Sequence, residues 1–308
     1  MKKGLVIKST GSWFYVRDPD GVTTACKIKG NYRIKGIRAT NPLAVGDSVT
    51  FRPMEDGTGL ITHIEDRKNY IIRRASNLSK DYQLIASNID QAFLMVSLYQ
   101  PKSLLAFIDR FLVSAEAFRI PVVILFNKID IYPEEEQKEL HELIHLYEGI
   151  GYRCLPLSLK KEINLDLLEE LLSSKVTVIS GNSGVGKSTL LNYLDPTLDV
   201  RTREISTSHK SGQHTTTNAE MYFFPSGARI IDTPGIKGFG MVDIDREELF
   251  HFFPEIFKYS KDCKYHNCLH LNEPQCAVIE AARNKMISES RYLNYLGLLE
   301  DMGDKYRK

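Results

Sequence analysis

The run Gly181-Asn182-Ser183-Gly184-Val185-Gly186-Lys187-Ser188 constrains this chain more than any other stretch, because it fits G-x-x-x-x-G-K-[ST]. An apolar strand pattern over 176–179 precedes it and a helical pattern over 189–193 follows. In that setting the glycines turn successive backbone N–H groups toward a phosphate, and the helix N-terminus adds its positive dipole. Lys187 then reaches the β and γ phosphates and Ser188 ligates Mg²⁺. All eight residues, with Thr189 opening the helix, are candidate nucleotide contacts.

The surrounding pattern is that of an α/β fold. Strand-like runs over 91–98, 122–126, 153–157 and 175–179 alternate with helical spacing over 104–118 and 134–147. Such alternation predicts a parallel sheet with helices on both faces, and ligands bound beyond the carboxyl ends of its strands. Asn127-Lys128-Ile129-Asp130 falls at one such end and resembles the guanine-recognition motif of GTPases. A carboxylate at Asp130 accepts from both N1–H and the 2-amino group of guanine. Adenine has neither donor there, so the mismatch discriminates. Leu157-Ser158-Leu159 is where a backbone contact to the guanine O6 is expected. A third strand end, Ile230-Ile231-Asp232-Thr233-Pro234-Gly235, sets Asp232 near Mg²⁺ through a water and the Gly235 N–H near the γ-phosphate. The hydroxyl-rich segment 206–218 between them reads as a mobile switch whose Thr ligates Mg²⁺.

The order of these parts is informative. GTPases commonly run from phosphate loop through the switches to Asn-Lys-x-Asp, whereas here Asp130 and Ser158 precede Gly181 and Asp232. Rejoining the termini and cutting elsewhere preserves every strand position, so a circularly permuted P-loop GTPase domain is predicted. The permutation leads the Asp-x-x-Gly switch directly into the C-terminal unit.

Length and charge place the remainder. A chain of 308 residues predicts two or three domains. Short runs over 4–8, 13–17, 23–29, 32–38, 47–53 and 59–64, broken by turns, predict an N-terminal OB-type β-barrel. Residues 1–75 hold fourteen Lys and Arg against seven Asp and Glu, a net +7; the whole chain sums to +1, so the rest carries −6. A basic barrel suits an anionic partner, nucleic acid first, and Trp13, Phe14 and Tyr15 are candidates to stack bases, although strand alternation points at least one of them into the core. No apolar stretch approaches the roughly 18 residues of a membrane span, and 4–7 is too short for a signal core. A cytoplasmic protein with no membrane partner is expected.

Of the five cysteines, Cys263, Cys268 and Cys276 cluster beside His266 and His270 in a helical C-terminal unit. Three thiolates and one imidazole make a closed tetrahedral set, the mark of a structural metal. Either histidine fits the spacing.

Barrel, permuted GTPase and Cys/His unit together resemble the ribosome small-subunit-dependent GTPase family, also called RsgA or YjeQ, over essentially the whole chain. Gly46-Asp47-Ser48-Val49 is similar to the family's barrel. Gly212-Gln213-His214-Thr215-Thr216-Thr217 resembles its first switch, with Gln213 where a basic residue is usual. The resemblance implies domains of 1–70 (OB-type nucleic-acid binding), 71–240 (GTPase) and 241–308 (helical, zinc-binding). It implies one structural zinc on Cys263, Cys268, His270 and Cys276. It also implies a monomer that binds the 30S ribosomal subunit and its 16S rRNA, assists late maturation, and hydrolyses GTP to GDP when the subunit stimulates it. The residue after Asp-x-x-Gly is Ile236, which cannot orient a water, so His214 is the candidate catalytic group beside Lys187 and Thr216. Thr216 is the expected Mg²⁺ ligand, with Thr215 and Thr217 open. The alternative is a nucleotide-gated rRNA-binding scaffold whose turnover is incidental.

Overall fold

A computed structural model of the protein describes residues 1–28, 39–74, 82–198, 219–232 and 244–304. The short N-terminal runs form β1 (Lys2–Ser9), β2 (Phe14–Arg17), β3 (Thr23–Ile28), β4 (Ala39–Asn41), β5 (Ser48–Pro53) and β6 (Gly59–Ile64). β1 pairs antiparallel with β2 and β5, β2 with β3, and β5 with β6, while β3 and β6 run parallel. That ring closes a five-stranded OB-type barrel and leaves these strands no free edge. Its alternating inward residues, among them Val6, Phe14, Val16, Cys26, Val49, Phe51 and Ile61, form the barrel core. Phe14 is therefore a core residue, whereas Trp13 and Tyr15 stay partly exposed and the Lys27 ammonium lies 4.5 Å over the Trp13 ring. The basic run 32–38 lies outside the described residues.

β7 (Tyr70–Arg74) and β8 (Tyr82–Ser87), unassigned in the sequence reading, join β4 in a three-stranded sheet beside the barrel. The junction is fixed by Asp47, which is fully buried. Its carboxylate accepts two bonds of 2.6 Å from the Arg67 guanidinium and one of 2.6 Å from the Ser87 hydroxyl. A buried carboxylate is tolerable because this fork and the Ala44 N–H saturate it.

The α/β unit follows the predicted alternation. β9 (Gln91–Val96), β10 (Val122–Phe126), β11 (Arg153–Pro156), β12 (Val176–Gly181) and β14 (Arg229–Asp232) are parallel in the order β11-β10-β9-β12-β14, and β13 (Glu220–Phe223) runs antiparallel on β14. Helices α1 (Leu105–Ala117), α2 (Glu134–Ile150), α3 (Leu165–Leu172) and α4 (Lys187–Leu194) cover it. Along β9 the side chains alternate: Ala92, Leu94 and Val96 pack with α1 and α2, Phe93 and Met95 with α3 and α4. The sheet is thus doubly wound. β13 also pairs with β1 of the barrel at Lys8↔Glu220, so barrel and α/β sheet are continuous.

The C-terminal unit holds a 3₁₀ turn, Arg246–Phe252, and helices α5 (Pro254–Ser260), α6 (Ala277–Arg283) and α7 (Glu289–Asp304). Its core of Leu249, Phe253, Ile256, Val278, Tyr295 and Leu299 includes Val113 from α1. Arg291, fully buried on α7, donates to Asp109 on α1 at 2.8 Å and to Glu255 on α5 at 2.6 Å, and sits 4.6 Å over the Phe253 ring. Removing one partner of such a pair costs about 3–5 kcal/mol, so this contact clamps the unit to the GTPase helix. Among the described residues no helix is long and apolar enough to cross a membrane.

Candidate nucleotide site and metal cluster

The phosphate loop lies where the strand order reverses, between the end of β12 and the start of α4. Two glycines are required by close approach as well as by positive φ. A Cβ at Gly181 (φ 150°) would stand 2.3 Å from the Met95 carbonyl oxygen, and one at Gly186 (φ 112°) 2.4 Å from Asn127 Nδ2. Val185 points into the core and anchors the loop from beneath. The N-cap of α4 is Gly186, which has no side chain to cap the helix, so among the described residues no side-chain cap occupies its N-terminus. The Lys187 ammonium donates to the carbonyl oxygens of Gly181 (2.6 Å) and Asn182 (2.7 Å), which holds it across the loop mouth. Burial pushes this ammonium below the usual lysine range, and the Asp232 carboxylate opposes that shift. Asp232 ends β14, whose register sets it beside Ile179 of β12.

The guanine-type loop meets the phosphate loop directly. Asn127 is buried; its amide donates to the Val185 carbonyl at 2.8 Å and its Oδ1 accepts the Leu159 N–H at 3.3 Å. One side chain therefore ties together three loops. Lys128 adopts a left-handed φ of 67° and its ammonium reaches the Gln100 carbonyl at 2.7 Å. The Ser158 hydroxyl donates to Asp130 Oδ1 at 2.6 Å and accepts the Lys161 N–H at 3.0 Å, which orients the carboxylate. The expected backbone contact from 157–159 is narrowed by this geometry. The Leu157 N–H bonds Phe126 O at 2.8 Å and the Ser158 N–H bonds Ile163 O at 3.3 Å. Ser158 thus enters the site through its side chain, and of these three amides only Leu159's points back toward the motif, at Asn127.

His214, Thr215, Thr216, Thr217, Gly235 and Ile236 lie outside the described residues.

Cys263, Cys268, His270 and Cys276 come together with all ligand atoms within 4.8 Å of one another. Ligands at the usual Zn–S and Zn–N lengths on a tetrahedron stand about 3.8 Å apart for sulfur pairs and about 3.6 Å for sulfur with nitrogen. Cys263 Sγ lies 3.8 Å from Cys276 Sγ and 3.6 Å from His270 Nδ1, and Nδ1 lies 3.4 Å from Cys276 Sγ. The set fits a tetrahedral metal bound through Nδ1. His266 is exposed and outside the cluster. Burial lowers the His270 imidazole and raises the Cys268 and Cys276 thiols, so a metal would meet a neutral ring and displace thiol protons.

A residue outside the ligand set shapes this loop. Glu273 accepts the N–H groups of Leu269 (2.8 Å), Leu271 (2.8 Å) and Asn272 (3.1 Å), bracketing His270 in its left-handed φ of 58°. An acid three residues after a ligand histidine was the available signal.

Comparison with known proteins agrees with this architecture. The sequence model of the RsgA GTPase matches residues 64–242 and that of the RsgA N-terminal domain residues 3–61. A relative in Bacteroides thetaiotaomicron, the small ribosomal subunit biogenesis GTPase RsgA 2, is 55% identical over 99% of both chains. The crystal structure of YjeQ from Thermotoga maritima superposes with a TM-score of 0.78 at 33% identity, covering 98% of each chain. The structure of YloQ, a circularly permuted GTPase, gives 0.75 at 32% identity, covering 99% of this chain and 96% of that one. A permuted GTP site behind an OB-type barrel, matched along its whole length by these relatives, means that this chain belongs to the RsgA GTPase family.

Proposed function

We propose that this GTPase binds the 30S ribosomal subunit, assists its late maturation, and hydrolyses GTP in response to it. The observation that carries the proposal is the position of β13. That strand pairs with β14, which ends in Asp232, and with β1 of the barrel, where Lys8 donates to both oxygens of Glu220 at 3.0 and 3.1 Å. The barrel and the strand that ends in Asp232 thus share one sheet. Relatives named as small ribosomal subunit biogenesis GTPases span nearly the whole chain.

In this reading the domains are 1–70, 71–240 and 241–308, the barrel meets 16S rRNA, and the protein works as a cytoplasmic monomer. Asn127, Lys128, Asp130 and Ser158 hold the guanine; residues 181–189, with Lys187 foremost, hold the phosphates. Ser188 and Thr216 would hold magnesium with Asp232 nearby, and the Gly235 N–H would sense the γ-phosphate. Magnesium, when bound, neutralises charge on the β and γ phosphates. His214 orients the attacking water, a role that Ile236 cannot fill. Cys263, Cys268, His270 and Cys276 hold one structural zinc.

Cosedimentation tests the partner. With a non-hydrolysable GTP analogue the protein is expected to pellet with purified small subunits, and with GDP about 10-fold less, since loss of the γ-phosphate releases the switch segments. No pelleting in either state contradicts the partner. Equal pelleting in both contradicts control by the nucleotide.

A further inference from the structure

Tyr132 lies two residues beyond Asp130. It is buried at the entry to α2, with its ring in the core shared by β9, α1 and α2. Its hydroxyl lies between two strand ends, accepting the Leu98 N–H after β9 at 2.8 Å and donating to the Asn127 carbonyl after β10 at 2.8 Å. Burial pushes the phenol above its ordinary range, so the donated proton stays in place. The Asn127 N–H already bonds Val96 O at 2.9 Å, and Gln137 Nε2 secures the Tyr132 carbonyl at 2.9 Å.

We infer that Tyr132 is a positioning residue for guanine-nucleotide binding, its hydroxyl fixing the Asn127–Lys128 peptide and with it the side chain that joins the guanine loop to the phosphate loop. Both backbone polar groups of Asn127 are then held, so its amide is aimed at Val185 O and Leu159 N before any nucleotide arrives. The next residue, Lys128, needs this restraint most, because its left-handed φ of 67° is one that an unanchored peptide seldom keeps. Without the hydroxyl, the Leu98 N–H and the Asn127 carbonyl lose this partner inside the core. The loop is then free to turn its peptide, and nucleotide binding must reorder it.

The inference rests on the assignment of Asn127 and Asp130 to the guanine base. Tyr132→Phe removes one oxygen and keeps the ring packing. The variant is expected to bind a fluorescent GDP analogue about 10-fold more weakly while intrinsic kcat at saturating GTP stays within about twofold, since the lost restraint acts on binding rather than on the reacting phosphate. Ser97→Ala is the control: its hydroxyl lies 3.4 Å from that of Tyr132 but donates to the Tyr99 carbonyl at 2.6 Å, so GDP affinity should hold within about twofold. Unchanged affinity in Tyr132→Phe overturns the inference, as does an equal loss in Ser97→Ala, which would mean general loosening. Failure of the underlying assignment is distinct: the wild-type protein would then not prefer GDP to ADP.

Discussion

Replacing Asp130 by asparagine is expected to weaken GDP binding by about 100-fold or more, equivalent to about 2.7 kcal/mol, while ATP and ADP binding stays as poor as in the wild-type protein. In the proposed site the carboxylate would face two donors on guanine, N1–H and the 2-amino group, and an amide can turn only one acceptor toward them. Ser158 sharpens the effect by holding one carboxylate oxygen at 2.6 Å, so the side chain cannot rotate to compensate without breaking that bond. A mismatched polar pair in a site that excludes water costs more than a missing one. Competition of GDP, IDP and ADP against a fluorescent guanine nucleotide checks this. An unchanged preference in Asp130→Asn would place base recognition elsewhere.

Removing zinc is expected to have a second large effect, confined to one part of the chain. Residues 261–276 contain no helix or strand, so the four ligands carry their order together with Glu273 and the hydroxyls of Tyr292 and Tyr295, which donate to the carbonyls of His270 (2.7 Å) and Leu269 (2.8 Å). Structural zinc sites supply about 10–16 kcal/mol to small domains at neutral pH, more than those hydrogen bonds can replace. Treating the protein with a chelator should therefore speed amide exchange over 261–283 by about 100-fold or more. Helix α7 should keep its protection, because Arg291 remains bonded to Asp109 and Glu255. One zinc per chain is expected before treatment. Retained protection over 261–283 in metal-free protein would contradict a structural metal.

The features legible in the sequence were those whose chemistry is local. The glycines at 181 and 186, the strand before them and the helix after them form one contiguous signal, as do Asn127 to Asp130 at the end of β10. The spacing of Cys263, Cys268 and Cys276 announced a metal cluster, while the spacing alone left His266 and His270 both open and the family resemblance favoured His270. What the sequence could not show was pairing at a distance. Lys8 meets Glu220 across 212 positions, and nothing near either residue marks β1 as the neighbour of β13. Helix α5 has only seven residues, too few to display a period, and the turn at Arg246–Phe252 is 3₁₀. Helix α3, with Leu165, Leu168, Leu171 and Leu172 on its buried face, did carry a readable period.

The charge count also changed meaning. Of the cations behind the +7 of residues 1–75, Arg67 is engaged by buried Asp47, Lys2 by Asp18 at 2.9 Å and Lys8 by Glu220, while the Arg17 guanidinium lies 4.3 Å over the Phe223 ring. These side chains hold the barrel together and fasten it to the sheet. Asp18 and Asp47 are already subtracted in that count, so of these four cations Lys8 alone, paired with Glu220 beyond the segment, takes charge away from what residues 1–75 offer to a phosphate backbone. Lys27, exposed beside Trp13, remains available to an RNA.

Steady-state GTP hydrolysis with and without purified 30S subunits tests the central claim most directly. An aliphatic Ile236 leaves the chain without the usual water-orienting side chain, so the unassisted rate should be slow. Saturating subunits are expected to raise kcat by about 100-fold or more, toward the range in which partner proteins activate other GTPases. A rate that stays the same at saturating subunits would contradict a subunit-activated enzyme and leave nucleotide-gated binding as the account of this molecule.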